Sequence, residues 1–213
     1  MNYINLIISN NSILRNLQID EFKNFKLSGD CIEFGSNKKL SRNFLKKDAK
    51  NYNSVFSNMF KYKDFVKIDI EKKIIHKKKY DFVIIFNVLE HISNLDYSIK
   101  NLYSLLKKNG KIIGSTPFLY RVHGAPKDYN RFTKQYLQKI LKENNFKNIK
   151  IKELGIGPFL ACISLLRGYI KYMPLISHFL VIAAILIDKL LCFVSKKMLN
   201  QIYPIGYIFS AKK

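Results

Sequence analysis

Short apolar runs alternate with amphipathic segments over the first 154 residues of the chain. Apolar runs that end in polar or turn residues predict strands of a parallel sheet that is buried on both faces. Four such runs and one alternating segment are predicted to be strands, namely residues 31–34, 65–70, 80–86, 111–115 and 146–154. This order predicts a doubly wound α/β fold, in which ligands bind outside the carboxyl ends of the strands.

Two helices are predicted between these strands. Apolar residues recur at helical spacing over residues 95–108, and Asn109-Gly110 is the predicted end of that helix. The second helix is predicted over residues 134–144 with Thr133 as its N-cap. The strand, helix and strand over residues 80–115 form a βαβ unit, for which a right-handed crossover is expected.

The composition changes after this region, because residues 156–194 are strongly apolar and Pro174 divides them into two predicted helices. The longest apolar run, 179–187, is shorter than the roughly 20 residues that a membrane-spanning helix needs. We expect a helical hairpin that caps the sheet domain or lies in a membrane interface. The predicted organisation is a lead-in over 1–28, a sheet domain over 29–154, an apolar hairpin over 155–200, and a closing strand with a basic tail over 201–213.

The chain is strongly basic, with 37 Lys and Arg residues against 15 Asp and Glu residues and a formal net charge of +22. Such a balance favours anionic partners, but the abundance of Lys, Asn and Ile is also typical of genomes rich in A and T. The lysines around His76 lack the interleaved aromatic residues that stack on bases. Nucleic-acid binding is therefore not expected.

The cysteines Cys31, Cys162 and Cys192 lie far apart without a neighbouring histidine, so neither a disulfide framework nor a metal site is predicted. The first 17 residues lack the pattern of a secretory signal, which favours a cytoplasmic protein.

Candidate chemistry lies in the loops that follow the predicted strands. Gly35 would let a ligand approach the backbone after the first strand, and Glu33 beside it could hold a polar or cationic group. The same two residues also fit a plain turn. His91 and His123 follow strand ends, and either could remove a proton from a hydroxyl at neutral pH. The alternative for His91 is a structural hydrogen bond to the backbone at a helix start.

Three segments carry a family resemblance: YDFVIIFNVLEHI over 80–92, LLKKNGKII and STPF within 105–118, and HGAPKDYNRFT over 123–133. The first two resemble the fourth strand, the following helix and the fifth strand of class I S-adenosylmethionine-dependent methyltransferases. The third is similar to a segment of bacterial members of that family that are often associated with cell-surface glycan biosynthesis.

The resemblance implies a Rossmann-like, mainly parallel sheet of about seven strands with helices on both faces, and S-adenosylmethionine as the cofactor. It implies cofactor binding by Glu33, Gly35, Ser36, Asn37, Asp69, Asn87 and Val88, of which Asn37 replaces a glycine of the family. Asp128, Tyr129 and Arg131 are the implied acceptor-binding residues, although Asp128 and Arg131 could instead pair and brace their loop.

The implied activity is O-methylation of a sugar or glycan precursor by a cytoplasmic enzyme, peripheral to the inner membrane through residues 156–194. A quinone or other lipid acceptor would explain the apolar hairpin equally well. A non-catalytic module that docks on a membrane partner would explain Asn37 and the lack of an acidic residue over 51–56, where the second strand is expected.

Overall fold

The computed structural model describes residues 3–9, 11–35, 52–57, 65–66, 68–124, 127–170 and 172–213. The strands in this part of the chain are β1 Gly29–Phe34, β2 Tyr52–Ser57, β3 Phe65–Val66, β4 Tyr80–Phe86, β5 Leu106–Pro117, β6 Lys147–Leu154 and β7 Gly206–Lys212. They form one sheet in the order β3-β2-β1-β4-β5-β7-β6. The pairs β1–β2, β1–β4, β2–β3 and β4–β5 are parallel, so the predicted doubly wound α/β fold is confirmed.

The helices are α1 Tyr3–Ile8, α2 Ile13–Phe22, α3 Leu95–Leu105, α4 Lys134–Glu143, α5 Pro158–Ile170, α6 Pro174–Ser195 and α7 Leu199–Ile202, with a 3₁₀ turn over Leu89–His91. The chain divides into two compact units. The first unit contains Met1–Asn24, Pro117–Val122 and Lys152–Tyr207, and the second contains Phe25–Thr116, His123–Ile151 and Ile208–Lys213.

The core of the second unit follows the predicted apolar pattern. Val83, Ile84 and Ile85 of β4 are at most 1% exposed, as expected for a strand with a neighbour on each side. In α3 the residues Leu95, Ile99 and Leu102 are buried on one face at helical spacing. The predicted N-cap of α4 is also confirmed, because the Thr133 side chain accepts a hydrogen bond from the Tyr136 backbone N–H.

Two predicted boundaries are wrong. The helix predicted over 95–108 ends at Leu105, because Leu106 pairs with Tyr80 and starts β5. Asn109 lies inside β5 with a left-handed φ of 68°, beside a register shift of the strand pair. The strand predicted over 65–70 is described only at Phe65–Val66, and residues 69–72 form a turn closed by a hydrogen bond from Lys72 N–H to Asp69 O.

In the first unit, α5 and α6 pack against each other, and α1 packs against α6. Pro174 is the first residue of α6, so the predicted division of the apolar segment is confirmed. Arg167 of α5 is 8% exposed and donates hydrogen bonds to the carbonyl oxygens of Ile7 and Ser9 at the end of α1.

Asp188 explains how an acidic residue fits inside the apolar helix α6. Its carboxylate is fully buried and accepts hydrogen bonds from the backbone N–H groups of Phe159 (3.0 Å) and Leu160 (2.8 Å) in the first turn of α5. A Cβ on Gly157 would lie 2.7 Å from this carboxylate, so the close approach requires glycine. Burial raises the pKa of Asp188, while the two backbone hydrogen bonds oppose that shift.

Candidate active site

The loops that follow β1 and β4 touch each other at the carboxyl edge of the sheet. Phe34 is the register partner of Ile85, so the two adjacent strands end side by side. Gly35 has a φ of +77°, and a Cβ there would lie 2.2 Å from Val88 Cγ2 and 2.8 Å from the Phe86 carbonyl oxygen. No other residue type fits without displacing the β4 loop. Contact with the β4 loop is therefore the reason for glycine at this position, and the predicted approach of a ligand stays a prediction.

Of the other predicted cofactor residues at this edge, Asn87 and Glu33 are described by the structure. Asn87 has a left-handed φ of 53°, and its backbone N–H bonds to the Ser115 carbonyl oxygen at 2.9 Å. Glu33, near the end of β1, is 5% exposed. Ser36 and Asn37 lie outside the described residues. The cofactor-binding roles of all these residues stay predictions.

Asp69 lies in the turn that follows the third strand. It is exposed, its Oδ1 accepts the Glu71 backbone N–H at 3.0 Å, and its carboxylate lies 3.4 Å from Lys72 Nζ. The second strand is β2 at Tyr52–Ser57, where the sequence places it, so Asp69 does not follow the second strand. A role for Asp69 near the adenosine stays a prediction.

His91 stands in the 3₁₀ turn that follows β4. Its Nδ1 is hydrogen-bonded to the Lys127 carbonyl oxygen. A carbonyl oxygen can only accept, so Nδ1 carries the hydrogen and the neutral ring keeps its lone pair on Nε2. That Nε2 lies 3.8 Å from Oε1 of Glu90. His91 thus makes the backbone hydrogen bond of the structural alternative and still presents a basic nitrogen.

His123 lies beside His91, with ring centroids 5.0 Å apart and an interplanar angle of 75°. Its backbone N–H donates to Asp128 Oδ2 at 2.9 Å, and its ring Nδ1 lies 3.4 Å from the same oxygen. The structure therefore brings together two histidines that are 32 positions apart in the sequence. The side chain of His123 is 33% exposed and that of His91 11%, so His123 is the more accessible base.

Asp128 and Arg131 form the pair that the sequence offered as an alternative. Arg131 donates through both terminal nitrogens to the two carboxylate oxygens, with an Nη2–Oδ2 distance of 2.6 Å. The hydrogen bond from Arg131, together with the His123 backbone N–H, holds the pKa of Asp128 well below its usual range. Asp128 is therefore a carboxylate at neutral pH, and its side chain is only 3% exposed.

The loop that carries these residues is fastened to the 3₁₀ turn. The Glu90 carbonyl oxygen accepts the backbone N–H groups of Tyr129 (2.8 Å) and Asn130 (3.2 Å), and the Asn130 amide donates to the Ile92 carbonyl oxygen. The Tyr129 side chain is 48% exposed. The predicted acceptor-binding roles of Asp128, Tyr129 and Arg131 stay predictions.

Sequence reasoning gave no role to Glu90, which is 0% exposed. Its carboxylate lies within 4.8 Å of ligand atoms of both His91 and His123. No local signal in the sequence predicted this burial, because hydropathy assigns a glutamate to the surface.

A family model described as "Methyltransferase domain" matches residues 12–151. The chain belongs to this family. It is an S-adenosylmethionine-dependent methyltransferase, and the fold class and cofactor implied by the sequence resemblance are confirmed. No curated protein sequence matches the chain.

Solved structures of methyltransferases share the fold of this methyltransferase. An S-adenosylmethionine-dependent methyltransferase from Archaeoglobus fulgidus has a TM-score of 0.58 and 18% identity, over 93% of this chain and 94% of that one. A Burkholderia thailandensis 1,6-didemethyltoxoflavin N1-methyltransferase with bound S-adenosylhomocysteine has a TM-score of 0.57 and 10% identity, over 96% and 80%. Phosphoethanolamine N-methyltransferase 2 of Haemonchus contortus, in complex with S-adenosylmethionine, has a TM-score of 0.56 and 16% identity, over 99% and 56%.

Proposed function

We propose that this methyltransferase transfers a methyl group to a hydroxyl oxygen of a sugar or glycan precursor. The observation that carries the proposal is the placement of His123 beside the ionised Asp128, which is suited to general-base catalysis. A hydroxyl acceptor must lose a proton during methyl transfer, whereas a neutral amine can attack without a base, so a base at this position favours a hydroxyl acceptor. The sugar class is supported by the resemblance of the segment over 123–133 to methyltransferases associated with glycan biosynthesis.

The cofactor fits the carboxyl edge of β1 and β4. When bound, S-adenosylmethionine supplies a methyl group that its sulfonium already activates. Gly35 lets the loop after β1 lie against the loop after β4 at this edge, and the buried Glu33 carboxylate is suited to an ammonium group. Asn87 and Val88, on the touching loop, would form the floor of the site.

His123 would act on the acceptor. The Asp128 carboxylate, 3.4 Å from Nδ1, favours a proton on that nitrogen, which leaves Nε2 to take the hydroxyl proton while the oxygen–carbon bond forms and the sulfur–carbon bond breaks. The imidazolium that results is stabilised by the same carboxylate, which stays ionised because of Arg131. The rest of the acceleration comes from alignment of the hydroxyl with the methyl group.

Methyl transfer from radiolabelled S-adenosylmethionine tests the acceptor class. Nucleotide sugars, lipid-linked sugars, quinols and small amines are offered in parallel, and the labelled product is analysed by acid hydrolysis. Label recovered on a sugar as a methyl ether supports the proposal. Label recovered on a quinol or an amine overturns the sugar assignment.

We infer further that α6 lies on an anionic membrane surface. By length and composition, α6 is the one helix in the described part of the chain that could cross a membrane, and 28% of its most apolar window is buried. Five of its exposed apolar residues follow helical spacing and are between 61% and 83% exposed, namely Leu175, Phe179, Leu186, Leu190 and Phe193. An apolar stripe of this size on one helix favours a lipid interface.

The rest of α6 supports an interfacial rather than a spanning position. Asp188 is bonded to the first turn of α5, so the buried face of α6 is occupied by its own unit. The exposed Lys196 and Lys197 follow the helix, and Tyr172 precedes it with 79% exposure. Lysines and tyrosines at the ends of an apolar face suit anionic head groups. A lipid or lipid-linked acceptor is consistent with this surface.

A further inference from the structure

We propose that Glu90, His91 and His123 bind a divalent transition-metal ion, with zinc as the expected ion. One carboxylate oxygen and two imidazole nitrogens lie within 4.8 Å of one another. Among the described residues, no other group of His, Cys, Asp and Glu side chains is placed in this way. The sequence alone pointed to no metal, because His123 becomes a neighbour of the adjacent residues Glu90 and His91 only through the fold of the loop after β5.

The donor set indicates the class of ion. Two imidazoles and one carboxylate are the ligands of many zinc sites that keep a fourth position open for water or a substrate oxygen. Imidazole-rich sites also suit other late transition metals, whereas Mg²⁺ and Ca²⁺ prefer oxygen ligands throughout. A mixed nitrogen and oxygen set therefore favours zinc over the alkaline-earth ions.

The surroundings of His91 match those of a metal ligand. A ligating histidine usually donates its other ring N–H to a carbonyl or a carboxylate, which fixes the tautomer and the ring orientation. His91 does so through Nδ1 to the Lys127 carbonyl oxygen. For His123 the nearest such partner is the Asp128 carboxylate, whose Oδ2 lies 3.4 Å from Nδ1, and a small rotation of the partly exposed ring would be needed to form that hydrogen bond. The orientation of His91 is therefore a second, independent observation that favours a metal ligand at this position.

Zinc binding would draw the three donor atoms closer together. Bonds of about 2.0 Å in a tetrahedral zinc site place the donor atoms about 3.3 Å apart. Here the three donor atoms lie within 4.8 Å of one another, and His91 Nε2 lies 3.8 Å from Glu90 Oε1. Glu90 is fully buried and His91 is 11% exposed, so both are held by the 3₁₀ turn. His123 is 33% exposed on its loop, and its movement toward the other two would complete the site.

The inference does not rest on the proposed activity. A nitrogen that coordinates the ion cannot also accept the acceptor's proton, so added zinc should inhibit methyl transfer if His123 is the base. Metal binding is measured without any acceptor. The failure of one proposal can therefore be distinguished from the failure of the other.

The test titrates the full chain, free of any polyhistidine tag and treated with a chelator, with Co²⁺ as a spectroscopic probe. The expected result is one equivalent of bound Co²⁺ with visible d–d absorption, displaced stoichiometrically by Zn²⁺. His123→Ala and His91→Ala should each weaken binding at least tenfold, and Asp128→Asn should weaken it about 10- to 100-fold. His76→Ala and His178→Ala, which change the remaining two of the four histidines, are the matched controls and should bind as the unchanged chain does.

The folded state of each variant is checked by circular dichroism, and His123→Ala is the decisive variant because the loop position is partly exposed. No stoichiometric Co²⁺ or Zn²⁺ binding by the folded chain overturns the proposal. Binding that survives both His91→Ala and His123→Ala, or that disappears in His76→Ala, places the ion elsewhere and overturns it equally.

Discussion

His123 Nδ1 lies 3.4 Å from Oδ2 of Asp128, and that oxygen also accepts the His123 backbone N–H. A single carboxylate therefore holds the backbone of the histidine by a hydrogen bond and lies beside its ring. Because Arg131 keeps Asp128 ionised, the arrangement is suited to stabilising a charged imidazolium at neutral pH.

If His123 is the base, His123→Ala should lower kcat by about 10²- to 10⁴-fold and leave the affinity for S-adenosylmethionine nearly unchanged, because the base acts on the acceptor. His76→Ala, which changes a histidine hydrogen-bonded to Tyr80, should keep full turnover. Steady-state kinetics and cofactor titration of the two variants provide the comparison. Equal losses of turnover and cofactor affinity in His123→Ala would argue against the assigned role.

Asp128→Asn should lower the free energy of unfolding by about 2–3 kcal/mol at pH 7, because it removes charged hydrogen bonds to Arg131. The pKa of Asp128 is lowered in the folded state, so its stabilising contribution is present above the unfolded value of about 3.9 and is lost as the pH falls below it. The difference in the free energy of unfolding in urea between the unchanged chain and Asp128→Asn should therefore shrink below about pH 4. The exposed-site control Asp69→Asn should show little change, and a difference for Asp128→Asn that does not depend on pH would contradict the assignment.

Asp188 gives a prediction with the opposite dependence of stability on pH. Burial raises its pKa, so its ionisation above the unfolded value of about 3.9 costs the folded state stability. Asp188→Asn keeps one oxygen for the N–H groups of α5 and removes that cost, whereas Asp188→Ala removes the cap and should lose about 1–2 kcal/mol. Unfolding at several pH values should show the unchanged chain losing stability relative to Asp188→Asn as the pH rises. An Asn variant less stable than the Ala variant would refute the capping role.

The apolar stripe of α6 predicts binding to vesicles that contain anionic lipid. Phe179→Asp combined with Phe193→Asp should reduce the bound fraction in a sedimentation assay, since both side chains are more than two-thirds exposed and would enter the interface. Ile75→Asp, which changes an isoleucine that is 87% exposed outside α6, is the matched control. Equal vesicle binding by the unchanged chain, the double Phe variant and Ile75→Asp would contradict the proposed membrane contact of α6.

The strands were predictable where local sequence decides them. Residues 80–86 form β4 as predicted, because a short apolar run of strand-forming residues is most stable as a buried strand. The end of α3 was not predictable, because Leu106 leaves the helix to pair with Tyr80, a contact that depends on the sheet. Local patterns carry no information about such a partner.

The candidate site shows the same limit. The loop positions of His91 and His123 followed from the strand order, but their meeting with Glu90 depends on the loop that Asn130 and Tyr129 fasten to the 3₁₀ turn. The burial of Glu90 could not be foreseen, since hydropathy assigns a glutamate to the surface. Asp188 was missed as a cap for a similar reason, because its partners in α5 lie 28 and 29 positions away.

The central claim is a working cofactor site at the carboxyl edge of β1 and β4, and isothermal titration with S-adenosylmethionine and S-adenosylhomocysteine tests it most directly. We predict binding in the micromolar range that Gly35→Ala abolishes or greatly weakens, because a Cβ there would displace Val88 and the Phe86 carbonyl. Gly168→Ala, where a Cβ meets only Arg121 Nη1 at 3.8 Å, should bind normally. A folded chain that binds neither compound would contradict the account.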